Sequence, residues 1–259
     1  MSKLSSSGFF QGASFMVALI VLWEAIVRLA GVREFLFPAP STIIREIVQF
    51  PGFFVENALY TLLVTLIGFG IALVLGVAIA IGIVYSKFLE NTLYSLLVAL
   101  NSVPKVALAP LFVIWLGTEM APKIAIAVTI AIFAIVVATV LGLRSIDPET
   151  LNMARAARAS HWQILRKVRF PTALPSLFAG MKLAISFSLV GALVGEFVAG
   201  SKGLGHAILL AQGMFDTPRV FASILLLGVM GTALFYLIDA LEHYMLPWHS
   251  SRRGSNKTT

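Results

Sequence analysis

The sequence predicts an all-α polytopic membrane protein with six transmembrane helices. Three observations carry that reading. Of 259 residues, 59% are hydrophobic and only 12% are charged, against roughly half and a quarter in ordinary soluble domains. The mean hydropathy is +0.94, an excess that one soluble core of this size cannot hide. Several segments then run for about 20 residues with almost no charge, which is the length a helix needs to cross a bilayer. The same composition excludes disorder. With no cysteine in the chain, disulfides, thiolate metal sites and thiol catalysis are excluded too.

Residues 1–12 are a short segment with one lysine, Lys3. No small-x-small cleavage site follows the next apolar run, so that run is expected to remain as a span and not to be removed as a signal peptide. The six expected spans are 13–30, 58–84, 93–116, 124–143, 183–199 and 220–241. The first is interrupted by Glu24, and the second and fourth hold no charge. At 1.5 Å per residue the second is about 40 Å long, so it tilts or protrudes. The third is broken by Pro104, Lys105 and Pro110. The fifth carries Glu196 near one end, and the sixth carries Asp239.

Lysine and arginine set the orientation. Placing Lys3, Lys87, the loop 144–175 and the tail inside puts 11 basic residues there, against 5 in the opposite loops. Both termini are then cytoplasmic, as an even number of spans requires. The transmembrane region is 13–249, and the polar tail 250–259 is expected to be flexible. On the outer side, residues 37–50 read as Pro-Ala-Pro-Ser followed by a short helix. Ser41 is its expected N-cap, and Ile43, Ile44, Ile47 and Val48 form its apolar face. That helix is either an interfacial element or a packed connector.

The loop between the fourth and fifth spans is longer than most, and it is organised. Asp147-Pro148-Glu149 starts a helix, with Asp147 capping, Pro148 in the first turn and Glu149 at the positive end of the dipole. The pattern restarts near Ser160, and His161, Trp162, Ile164, Leu165 and Val168 mark a second amphipathic helix. Pro171 is expected to stop it, and Pro175 to precede the next span. Arg155, Arg158, Arg166, Lys167 and Arg169 are expected on display. A loop that only fixes topology needs charge but no such architecture. An interrupted helix pair with an aromatic favours docking to a protein.

Residues 153–175, MARAARASHWQILRKVRFPTALP, resemble the signature cytoplasmic loop of permease subunits of ATP-binding-cassette importers. That signature runs Glu-Ala-Ala, three residues, Gly, then about nine residues to Ile-x-Leu-Pro. The subgroup resembled is the nitrate, sulfonate, taurine and bicarbonate type. FPAPST at 37–42, NSVPKVALAPLFVIWLG at 101–117, Gly195-Glu196-Phe197 and Gly203-Leu204-Gly205 match as well. The resemblance spans about residues 13–249. Three positions depart from it: Asn152 stands for the Glu, Met153 for the first Ala and Arg158 for the Gly. Glycine usually supplies a left-handed turn there. With arginine, either the turn is made differently or the helix runs on.

The resemblance implies the type I importer permease (MetI-like) fold in a bacterial inner membrane. It implies a complex of two permease copies, expected to be a homodimer, with two ATPase subunits and an extracytoplasmic solute-binding protein. The loop is then the coupling helix, assigned to Arg155, Ala156, Ala157, Arg158, Ala159, Ser160, His161, Trp162 and Gln163. The arginines would supply charge-assisted hydrogen bonds, and His161 and Trp162 packing.

The chain holds no G-x-x-x-x-G-K-[ST] phosphate loop and no H-E-x-x-H pair, so it is not expected to hydrolyse ATP. His161, His206, His243 and His249 lack metal-ligand spacing. No cofactor is expected in this chain; ATP and Mg²⁺ belong to the ATPase. Nucleic acid is not an expected partner. Ionisable residues inside a membrane cost roughly 2.5–3.5 kcal/mol each on insertion scales and tend to face a cavity or a partner. Lys105, in a span broken by prolines, is a candidate for contact with an anionic solute. Glu196 is a candidate gate, a partner of Lys105 or a packing residue, and the resemblance implies an acid there. Asn101, Ser102, Ser186 and Ser188 offer neutral hydrogen bonds near the same level, though serines in spans often bond their own helix. Glu24 reads as half of a structural pair. Gly76-x-x-x-Ala80 and Gly191-x-x-x-Gly195 allow close helix packing, within the chain or at a dimer seam. The expected function is a permease for a small anionic solute of sulfonate, taurine or nitrate type. The alternative is a self-sufficient secondary transporter or channel.

Overall fold

The computed structural model describes residues 6–94, 99 and 103–247; Asn101, Ser102 and the tail 250–259 lie outside them. The described chain is helical. α1 is Ser6–Leu29, α2 Pro40–Gln49, α3 Pro51–Tyr85, α4 Ala109–Leu116 and α5 Met120–Arg144. α6 is Pro148–Ala156, α7 His161–Ile164, α8 Phe170–Ala199, α9 Leu204–Gly213 and α10 Thr217–Met245. Among the described residues, four helical stretches are long and apolar enough to cross a membrane: α3, α5, the continuous His161–Ala199 run and α10. They contain the second, fourth, fifth and sixth expected spans. The first expected span, except its last residue, lies within α1, 24 residues long. Part of the third lies outside the described residues.

Prolines explain most differences from the expected boundaries. α3 starts at Pro51, where the ring fits the first turn and its missing N–H is no loss. It runs 35 residues, roughly 52 Å, so it reaches well past a hydrocarbon core about 30 Å thick. Pro110 does not break the third span. It sits in the first turn of α4, and the irregular stretch is Val103–Pro104 followed by a 3₁₀ turn at Lys105–Leu108. Pro171 and Pro175 do not stop a helix either. Residues Leu165–Arg169 form a π turn, in which the Phe170 N–H donates to the Leu165 carbonyl. The wider turn makes room for the Pro171 ring and its missing donor, so α7 passes into α8 without interruption. Pro175 lies inside α8.

The centre of the bundle is α3, α5 and α8. Phe69, Ala72, Ala131, Ile135, Leu177, Phe178, Ala184 and Ile185 form one buried cluster. Small residues set how closely these helices approach. A Cβ at Gly191 would lie 2.5 Å from the Ala127 Cα, and one at Gly76 would lie 2.7 Å from an Ile135 methyl. Both small-residue stripes are thus used within the chain.

α2 is a packed connector. It starts two residues earlier than expected, so Ala39 occupies the N-cap position and Ser41 lies in the first turn. Ser41 is instead claimed by α1. Its N–H and hydroxyl both donate to Glu24, at 3.0 and 2.7 Å, and Glu24 also pairs with Arg28. Ile43 and Ile47 join Phe54, Leu204 and Ala222 in a cluster, while Ile44 and Val48 remain exposed. Trp23, Phe37 and Phe221 pack around the same corner at centroid distances of 5.2–6.2 Å.

Candidate functional site

The bundle has two distinct ends, because α3 starts beside α9 and finishes beside α7. At the first end the Asn57 side chain accepts from the Gly203 N–H at 2.8 Å. At the other, the Tyr85 hydroxyl donates to the His161 carbonyl at 3.3 Å. Candidate residues gather at both.

The α6–α7 end is a rigid turn. Asp147 caps α6 by accepting from the Glu149 N–H, with Pro148 in the first turn. α6 then closes in a Schellman motif. The Ala159 N–H donates to the Ala154 carbonyl at 3.1 Å, and the Arg158 N–H to the Arg155 carbonyl at 2.9 Å. Arg158 takes the left-handed position itself, at φ 55°. The turn that glycine usually makes is therefore made by arginine, and α6 does not run on. For a residue with a Cβ this conformation costs about 1–2 kcal/mol. One residue later a capping box starts α7. Ser160 accepts from the Gln163 N–H at 3.2 Å, and the Gln163 side chain accepts from the Ser160 N–H at 2.8 Å. Gln163 thus has a local structural use.

Between these two fixed ends the turn presents its side chains outward. Arg155, Ala156, Ala157, Arg158, Ser160, His161, Trp162 and Gln163 are exposed, and Ala159 is half-buried. Met153 and Trp162 stand out at 74% and 67% exposure. Among the basic residues, Arg166 and Lys167 are exposed. Arg169 is not on display as expected. It is half-buried, donates to the Leu143 carbonyl at 3.2 Å and lies 5.4 Å above the Tyr85 ring. It ties the start of α8 to the ends of α3 and α5. Leu143, Leu165 and Ala173 pack beneath it. The turn is thus in contact with three spanning helices.

Glycine at position 158 would suit the left-handed turn, and this separates the turn from the charge. Arg158→Gly is expected to raise the protein's stability by about 1 kcal/mol, or about 2–4 °C in thermal midpoint. The turn would then lose one cation while keeping its shape. A lowered midpoint would show that the arginine side chain, and not the turn, holds this loop.

At the opposite end, two sequence pieces that are separate in the chain meet. Glu196 is fully buried. Its carboxylate accepts from the Thr61 hydroxyl and from the Gly205 N–H, both at 2.8 Å. The Leu204 N–H donates to the Thr61 oxygen at 2.9 Å. The acid thus sits at the positive end of α9 and satisfies an amide there. Gly203 makes this possible. It has φ 109°, and a Cβ there would lie 2.2 Å from the Glu196 carboxyl carbon. Lys123 lies close by. It is also fully buried and donates to the Tyr60 hydroxyl at 2.9 Å, 4.9 Å above that ring. The result is a polar knot joining α3, α5, α8 and α9. On the surface beside it, a hydrogen bond from Lys202 to Glu56 at 2.8 Å raises the lysine's pKa above its usual value.

Lys105 lies over the Phe133 ring, 5.7 Å from its centre. Ser188 is buried and donates across to the Thr65 carbonyl of α3 at 2.8 Å. Ser186 bonds its own helix at the Lys182 carbonyl. Among the described residues, no group of three metal-ligating side chains is present.

Sequence reasoning missed three residues here. Lys123 stands at the edge of an apolar run and reads as an outer loop residue; the helix starts three residues before it and buries it. Thr61 carried no signal beyond being polar in a span. Lys182 fell one residue before the expected fifth span, yet it bridges α8 to both Asp239 and Glu242 of α10.

The chain is similar to known proteins over most of its length. The family described as "Binding-protein-dependent transport system inner membrane component" matches residues 72–247. The riboflavin transport system permease protein RibX of Chloroflexus aurantiacus is 36% identical, over 91% of this chain and 89% of its own. The formylaminopyrimidine transport permease protein ThiX of Halalkalibacterium halodurans is 32% identical, over 92% and 95%. The taurine transport system permease protein TauC of Escherichia coli is 25% identical, over 90% and 88%. An inward-facing MetNI methionine ABC transporter superposes with TM-score 0.65 at 19% identity, covering 80% of this chain and 98% of that one. The fold is therefore that of the MetI-type permeases.

Proposed function

Because this chain belongs to the family of binding-protein-dependent transport system inner membrane components, we propose that it is the permease subunit of an ATP-driven importer. Two copies line the pathway, and an extracytoplasmic binding protein delivers the solute. Two separate ATPase subunits bind ATP and Mg²⁺ and dock on the α6–α7 turn at the cytoplasmic side. The single observation that supports this best is the exposed turn, capped at both sides and anchored through Tyr85 and Arg169 to three spanning helices. Both termini face the cytoplasm in this reading, in keeping with the excess of basic residues there.

The solute is a small organic molecule. Lys105, beside the irregular backbone at Val103–Pro104, favours an anion of sulfonate or taurine type. A second reading, a planar heterocycle, is favoured by the likeness to permeases named for riboflavin and formylaminopyrimidine. Uptake assays on Lys105→Ala separate the two. If the solute is an anion held by Lys105, uptake falls about tenfold or more, as for one lost charge-assisted hydrogen bond. Unchanged uptake assigns the lysine a structural part and leaves the heterocycle. Mass spectrometry of the ligand that co-purifies with the binding protein then names the compound.

A further inference from the structure

Two cavities of opposite character flank the start of α2, where Ser41 is held by Glu24 of α1. One is a polar cup of about 500 Å³ lined by Arg28, Glu34, Ser41, Thr42 and Arg45. The other is an apolar groove of about 380 Å³ lined by Ile20 and Trp23 of α1, Ile43 and Ile44 of α2, and Ile224 and Leu225 of α10. Trp23 lines the groove, and Val27, one turn further on the same face of α1, lines the cup. At 1.5 Å per residue the cup thus begins about 6 Å beyond the groove, toward the end of α1. On α2, Ser41 and Arg45 are exposed on the cup side and Ile44 on the groove side. The surface therefore passes from charged to apolar in the direction that leads from the helix end into a membrane.

The charges of the cup narrow what it can hold. Glu24 already satisfies Arg28 and Ser41. That leaves Arg45, whose guanidinium has no partner among the described residues, and Glu34, whose carboxylate accepts from the Thr42 hydroxyl at 3.3 Å. The two share the cup without pairing with each other. One open cation and one open carboxylate leave the cup neutral, so it suits a ligand that carries both signs a short distance apart. A headgroup with a negative charge alone would satisfy Arg45 and be repelled by Glu34. The groove beside the cup asks for a hydrocarbon chain on the same ligand.

We propose that this corner binds one phospholipid with an ethanolamine headgroup, its phosphate on Arg45, its ammonium on Glu34 and an acyl chain in the groove along Ile20, Ile44 and Leu225. The inference needs only that α1 and α10 lie in a bilayer, and it is independent of the solute and of the ATPase. The guanidinium fork meets the phosphate through charge-assisted hydrogen bonds, and the ammonium brings three donors to the carboxylate. Lipid tails are as apolar as the groove, so the groove contributes packing and no hydrophobic gain. The headgroup contacts therefore carry the selectivity, and the chain holds the headgroup at the right depth.

The full chain, with the subunits that accompany it, is stripped of lipid in mild detergent and titrated with phosphatidylethanolamine or phosphatidylglycerol. Native mass spectrometry counts the bound lipid, and the thermal midpoint is followed in parallel. The wild type is expected to hold one phosphatidylethanolamine per chain, about tenfold more tightly than phosphatidylglycerol. Arg45→Gln is expected to weaken retention about tenfold or more, with the lipid-free midpoint unchanged because the guanidinium bonds nothing in the chain. Glu34→Gln keeps an acceptor for Thr42 and is expected to bring the two lipids to equal affinity. Soluble phosphoethanolamine, which has no chain to seat, is expected to leave the midpoint where it was. Equal retention of the two lipids by the wild type, or wild-type retention by Arg45→Gln, would overturn the site. A midpoint raised as much by phosphoethanolamine as by the lipid would make the cup a site for a free solute, and would overturn it too. Ile44→Asp that separates two permease copies while lipid retention holds would make the groove an interface between copies, and the lipid site would fall.

Discussion

Replacing Arg155 and Arg158 together by glutamate is expected to abolish ATP-driven uptake while the permease stays at its normal level in the membrane. Both side chains are exposed. The Schellman closure uses their backbone groups only, so the fold has no need of either guanidinium. Docking does, in the reading advanced here. A hydrogen bond to a charged group contributes about 1.5–3 kcal/mol, and glutamate replaces attraction by repulsion. Two such changes weaken docking by a factor on the order of 100 or more. ATP hydrolysis and uptake, measured together in proteoliposomes, check this. Uptake at the wild-type rate would remove the docking role from both residues.

The second large effect is at the other end. Gly203→Ala places a methyl 2.2 Å from the Glu196 carboxyl carbon and holds it at φ 109°. Steric displacement and an unfavourable backbone together cost about 3–5 kcal/mol. That is a large part of the 5–15 kcal/mol that holds a typical domain folded. Glu196→Ala is expected to do similar damage by a different route. It leaves the Gly205 N–H and the Thr61 hydroxyl without their acceptor, and each unsatisfied buried group costs about 1–3 kcal/mol. Thermal unfolding in detergent should show both variants well below wild type. A Gly203→Ala protein that melts like the parent would mean that α9 is not pinned to α8 through this contact.

These two sites show what the sequence carries and what it does not. Spans α3, α5 and α10 were legible because a bilayer demands long apolar runs, and periodicity is not needed to find them. The α6–α7 turn was legible because caps are local: Asp147-Pro148-Glu149 and the restart at Ser160 are read within a few residues. The geometry of Arg158 was open between a tight turn and a longer helix. Only backbone coordinates choose, since an arginine in the left-handed region is decided by what surrounds it. The stop expected at Pro171 is absent because a π turn accommodates its ring, and a π turn leaves no mark in composition.

Glu196 illustrates the limit more fully. Its position and the glycines at 203 and 205 were visible as separate pieces. That they form one knot with Thr61 and Lys123 depends on contacts between residues up to 143 apart, which no local pattern encodes. Burial in this conformation also makes Glu196 a structural tie first. The small-residue stripes at Gly76 and Gly191 left packing within the chain or between copies open, and close approach to α5 settles them within it.

The central claim is that the α6–α7 turn receives the ATPase from the cytoplasmic side. The chain contains no cysteine, so a single introduced thiol is unambiguous. Arg158→Cys, in membranes holding the assembled transporter, is treated with a short reagent that joins a thiol to an amine. The prediction is a cross-link to the ATPase subunit, formed in inside-out vesicles and changing in yield when ATP is bound. A thiol that labels only from the outer face, or that never joins the ATPase in an actively transporting complex, would contradict the account.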